Sequence, residues 1–108
     1  AVLAAQEETR RVHVDEDVAG YVVAIVAETR RETRLSLGAS PRASLALHRM
    51  AQAWAYINGR KEAQPDDVKA VAVETLAHRL ALETKAKYSG TTRAGIVRDI
   101  LARVRVPV

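Results

Sequence analysis

The stretch Gly38-Ala39-Ser40-Pro41-Arg42-Ala43-Ser44-Leu45-Ala46-Leu47-His48-Arg49-Met50-Ala51-Gln52-Ala53-Trp54-Ala55-Tyr56-Ile57 decides the fold. Its opening residues form a turn that starts a helix. Ser40 is a natural cap, and Pro41 suits the first helical position, where a missing N–H costs nothing. From there Ala43, Leu47, Met50, Ala51, Trp54 and Ile57 recur as one apolar stripe at helical spacing. Leu45 and Tyr56 point the other way, which predicts a central helix touched on two sides. Asn58-Gly59 closes it by supplying the left-handed residue that helix C-termini favour.

Reading outward from this helix, the same logic finds its neighbours. Upstream, Val12-His13-Val14 is extended in character, and Asp15 caps a helix with acids in its first turn, where the helix dipole is positive. Val18, Tyr21, Val22, Ile25, Val26 and Thr29 are its buried stripe, and Arg30, Arg31 and Arg34 gather at its negative end. Arg34-Leu35-Ser36-Leu37 alternates, as a very short extended piece would. Downstream, Pro65-Asp66-Asp67 starts a helix that buries Val68, Val71, Ala72, Thr75 and Leu76. Leu80 to Gly90 is less regular, with Tyr88-Ser89-Gly90 reading as loop. Thr91 or Thr92 caps a last helix carrying Ile96, Val97, Ile100, Leu101 and Val104, stopped by Pro107. Ala1 to Arg11 reads as the end of a helix that begins before Ala1, or as a linker. The expectation is an all-α domain over residues 12–108, a small bundle of four to five helices.

Composition agrees. The 108 residues include 13 Arg, four Lys, one Trp, three Tyr and no Phe, with abundant Ala, which suits helices packed through small side chains better than a β-sandwich. The absence of Cys excludes disulfides, thiolate metal sites and a thiol nucleophile, and fits a reducing cytoplasm best. The longest uncharged apolar run, Val18 to Ala27, is too short to span a bilayer. A net charge of +4 raises the prospect of an anionic partner, although the charges are spread along the chain.

Catalytic motifs are missing. There is no GxxxxGK[ST], GxGxxG, HExxH or GxSxG. His13, His48 and His78 lie in three separate segments, and the paired acids are explained by their place in first helical turns, so no metal site is expected. One segment stands apart. An arginine at a helix N-terminus works against the dipole by a few tenths of a kcal/mol, up to about 1. That arrangement becomes favourable when a phosphate arrives, because the guanidinium and the helix end then act on the same oxygens. Gly38, Ser40, Pro41 and Arg42 are therefore the candidate anion site, the alternative on these residues alone being that Arg42 simply lies exposed.

Taken in order, Gly38-Ala39-Ser40-Pro41-Arg42-Ala43, Pro65-Asp66-Asp67-Val68-Lys69 and Leu76-Ala77-His78-Arg79-Leu80 resemble the C-terminal lid domain of MoxR-type AAA+ ATPases. The stretch from Val12 through Thr29-Arg30 and the closing Val106-Pro107 are also similar to that family. The resemblance implies a helical lid that follows a nucleotide-binding αβ core carrying Walker A and Walker B, so that this chain alone should be inactive. It implies that Arg42 matches the sensor 2 arginine directed at the nucleotide phosphates, with ATP and Mg²⁺ as cofactors of the parent protein. Implied partners are the upstream core, further copies in a ring, and a von Willebrand factor A domain protein. His78-Arg79 matches a family pair expected to contact neighbouring helices or a neighbouring subunit. Two departures stand out: Gln64 replaces a Thr or Ser, which should forfeit a helix cap, and His48 replaces an apolar residue, which should leave that part of its helix more exposed.

Two other readings fit the composition. A basic nucleic-acid-binding module would need Lys and Arg on one exposed face, and Arg42, Arg49 and Arg60 do not all project together. A helical adaptor would dock partners through apolar faces and would have no need of Arg42.

Overall fold

Asp15 sets the start of the first long helix, accepting the Glu16 N–H at 3.0 Å. The computed structural model describes residues 7–107. Helix α1 (Glu16–Arg31) buries all six stripe residues, Val18, Tyr21, Val22, Ile25, Val26 and Thr29. Helix α2 (Pro41–Ile57) runs through the centre, α3 (Pro65–Leu76) packs along it, and α4 (Thr84–Tyr88) and α5 (Arg93–Arg103) complete the bundle. A 3-10 turn, Ala77–Arg79, extends α3 and packs against α5. Residues 7–10 are helical, while the rest of the helix read from Ala1 to Arg11 lies largely outside the described residues.

Four short strands tie the connections. β1 (His13–Val14) pairs in parallel with β3 (Glu62–Ala63), and β2 (Leu35–Leu37) pairs antiparallel with β4 (Ala81–Leu82). Of the alternating Arg34–Leu37 segment, Leu35–Leu37 are thus extended as expected, while Arg34 lies in the turn before them. Its partner gave no sequence signal, because two residues cannot display a period of two. The all-α architecture stands, with these pairs acting as clips between helices.

The core differs from the expected stripe on α2. Ala43, Leu47, Ala51 and Ala55 are buried, whereas Met50, Trp54 and Ile57 are 44%, 42% and 75% exposed. The buried set steps by four residues, so it winds slowly around the helix and follows the neighbour it packs against. That neighbour is chiefly α3, whose close approach suits alanine and leaves the bulky residues at the edge of the contact. The second face exists but is built differently. Gln52, buried, donates to the carbonyls of Arg10 and Val12, and Tyr56 hydrogen-bonds Glu8, so the segment before α1 lies against α2 while Leu45 stays exposed.

Helix ends bring further corrections. Ser40 occupies the cap position of α2, but its side chain makes no capping bond. At Gln64 no side-chain cap bond is made, but the reciprocal contact of a capping box is in place: Asp67, 1% exposed, accepts the Gln64 N–H at 2.7 Å and also pairs with Arg60. His48 is half-buried in a shallow groove with Ala19, Val23 and Leu45. The segment before Gly90 holds a helix, α4, capped by the Glu83 carboxylate on the N–H groups of Lys85 and Ala86. Thr92 caps α5 through the Gly95 N–H. That helix ends at Arg103, before Pro107, because Val104 turns extended at ψ 129° and packs with Val106 back on the core. Gly59 and Gly90, at φ 77° and 86°, supply the left-handed turns after α2 and α4.

Candidate functional site

The start of α2 is fastened to the end of α1. Thr29 is 1% exposed, and its hydroxyl donates to the Val26 carbonyl at 2.6 Å. The same oxygen accepts the Ala39 N–H at 2.9 Å. Arg30 Nε donates to the Ala39 carbonyl at 3.2 Å, so two consecutive residues of α1 hold both polar groups of one loop peptide residue. Gly38 makes this approach possible. A Cβ there would lie 2.7 Å from the Thr29 carbonyl oxygen and 2.9 Å from the Arg30 Cα, closer than a side chain is accommodated.

Gly38, Ser40, Pro41 and Arg42 are brought together simply by being consecutive, and the loop is aimed by the α1 contacts. Arg42 lies in the first turn of α2, exposed, and has no ion pair or side-chain hydrogen bond among the described residues. No acid occupies that first turn, and no side chain caps it. The positive end of the helix dipole and a free guanidinium therefore share one exposed location. Among the described residues no group of three or more His, Asp or Glu is placed to hold a metal ion, and no helix is long and apolar enough to cross a membrane.

His78 and Arg79 lie elsewhere, in the 3-10 turn. Arg79 Nε donates to the Thr75 carbonyl at 3.1 Å and His78 Nδ1 sits 3.2 Å from the Glu74 carbonyl. Both lie against carbonyls at the C-terminal end of α3, where the Arg79 cation is favourable.

Sequence reading missed an ion cluster at this same C-terminal end of α1. Arg34 grips Glu32 with two bonds of 2.9 Å and reaches Asp99 at 2.9 Å, while Arg103 meets Glu32 at 3.1 Å and Glu28 at 3.3 Å. Hydrogen bonds from Arg34, with one from Arg103, hold the Glu32 carboxyl at about 2 against the opposing effect of burial. The cluster joins α1, the turn that leads from it into β2, and α5. No sequence signal marks it, because its members are separated by up to 75 positions. Thr29 was read only as a member of the buried stripe, and its hydroxyl there was the signal that could have marked it.

The AAA lid domain family model matches residues 27–100. The chain is 42% identical over 103 residues to the uncharacterized protein YeaC of Bacillus subtilis, covering 95% of this chain and 32% of that protein. It is 31% identical to chaperone MoxR1 of Mycobacterium tuberculosis, covering 98% of this chain and 30% of that one. A solved structure of a candidate ATPase from Cytophaga hutchinsonii superposes with a TM-score of 0.88 at 31% identity, over 94% of this chain and 34% of that chain. The chain thus spans about a third of the length of these relatives. With a family model matched across most of the bundle and MoxR relatives aligned along it, the chain belongs to the AAA lid domain family and is a lid of the MoxR-type AAA+ ATPases.

Proposed function

We propose that this lid reports nucleotide state in an ATP-hydrolysing protein, with Arg42 as its phosphate-sensing residue. The observation that carries the proposal is the Arg42 guanidinium, unpaired among the described residues, in an uncapped first turn. A cation there has no local partner and sits against the dipole, an arrangement that a terminal phosphate would relieve. When bound, ATP with Mg²⁺ supplies the reactive phosphoryl group. Arg42 would bind its terminal charge and stabilise the charge that develops during hydrolysis. Gly38, Ser40 and Pro41 hold the backbone in the shape that presents the arginine.

The remaining machinery belongs to a nucleotide-binding core, the first partner in this reading. The exposed side chains of Met50, Trp54 and Ile57 are the kind of surface such a neighbour covers. A homo-oligomeric ring and a von Willebrand factor A domain partner complete the proposal, in a chaperone-like role on other complexes. The chain alone should bind ATP feebly and not hydrolyse it, since one arginine and one helix end do not replace a phosphate loop.

The direct test is Arg42→Ala in the full-length protein. We expect steady-state ATP hydrolysis to fall by roughly 100-fold, within the range of charge-stabilising groups at a transferring phosphate. The circular dichroism spectrum should be unchanged. Wild-type turnover in that variant would remove the sensing role.

A further inference from the structure

We infer that Thr29 is a positioning residue for Arg42: its buried hydroxyl fixes the backbone from which the arginine projects, so phosphate sensing depends on a side chain that touches no nucleotide. The inference rests on the sensing role proposed above. Its geometry does not.

Consider the path from α1 to the guanidinium. Ala39 is held three ways: its methyl is in the core at 1% exposure, its N–H is bound by Thr29 Oγ1, and its carbonyl is bound by Arg30 Nε. The Thr29 hydroxyl hydrogen is committed to the Val26 carbonyl, which leaves the oxygen lone pair aimed at Ala39. Only Ser40 and Pro41 then separate the anchored residue from Arg42, and the Pro41 ring fixes its own φ. Ser40 adds no side-chain bond, so its backbone is the soft link. The Arg42 Cα is therefore held from two sides, by the last turn of α1 through Ala39 and by Ala43, buried in the core at the next position. The three-point hold goes beyond what a surface turn requires. Ordinary loops leave such peptide groups to water, whereas here both are taken by neighbouring residues of one helix. A sensing arginine needs this, because a misplacement of about 1 Å can cost on the order of 100-fold in rate.

The test compares Thr29→Val, which keeps the shape and removes the oxygen, with Thr29→Ser, which keeps the oxygen. Both are made in the full-length protein, alone and combined with Arg42→Ala. We expect Thr29→Val to lower kcat by roughly 10- to 100-fold, with KM changed far less and with faster hydrogen exchange at the Ala39 amide. Thr29→Ser should restore most of the turnover. In the Arg42→Ala background Thr29→Val should cost nothing further, because the two act as one unit.

Near-normal kcat in Thr29→Val beside a crippled Arg42→Ala would overturn the positioning role alone. So would equal losses from Thr29→Val with and without Arg42. Wild-type turnover in Arg42→Ala would overturn the sensing role and this inference together. If Thr29→Val does not fold, Arg30→Met removes the other bond to Ala39 from an exposed side chain and carries the same expectations.

Discussion

Gly38 lies against the carbonyl of Thr29 so closely that a Cβ would sit 2.7 Å from its oxygen. The contact is backbone on backbone, so no side-chain rotation can relieve it. It joins the end of α1 to the beginning of α2 at the point where the exposed arginine emerges.

Gly38→Ala should therefore destabilise the domain by about 1–3 kcal/mol, the usual cost of overpacking a site that must shift to fit. Urea unfolding of the 108-residue chain would measure it. The same substitution at Gly20, where a Cβ would meet nothing within 4 Å, should stabilise slightly, since alanine favours the helix by up to about 1 kcal/mol.

The Glu32 cluster predicts a specific acid response. Its carboxyl is held at about 2, below its ordinary 4.5, so the stability it contributes is complete above the ordinary value and is lost as pH falls between them. Glu32→Gln should cost about 1–2 kcal/mol at neutral pH, moderated because Arg34 and Arg103 are partly solvated. The variant should also lose less stability than wild type between about pH 5 and pH 2, which thermal melts across that range would register.

Two residues of α2 separate the core from the surface. Leu47 is fully buried and Trp54 is 42% exposed. Leu47→Ala should cost about 2–5 kcal/mol, from lost burial and the cavity left behind. Trp54→Ala should cost under about 1 kcal/mol in this chain, despite removing the larger side chain. Equal losses would restore the stripe that helical spacing alone suggests.

How far the sequence could be read depended on the range of the interactions. The stripes of α1 and α3 were legible residue by residue, because each helix turns one periodic face to the core. On α2 the period misled: alanines were under-weighted beside Met50 and Trp54, although close packing against α3 selects small residues. Asp67 was legible as a first-turn acid but not as the group that reaches back to the Gln64 N–H, which depends on its burial and on Arg60. The turn at Gly38–Arg42 was legible as a unit because its residues are consecutive. What aims it was not, since Thr29 and Arg30 reach it from about ten positions away across a tertiary contact.

The central claim is that Arg42 meets nucleotide phosphate, and a structure of the full-length protein with a non-hydrolysable ATP analogue tests it most directly. The distance to measure runs from the Arg42 guanidinium to the nearest oxygen of the terminal phosphate. The account predicts a charge-assisted hydrogen bond of about 2.7–2.9 Å. An occupied nucleotide site with Arg42 turned to solvent and another cation on that phosphate would contradict it.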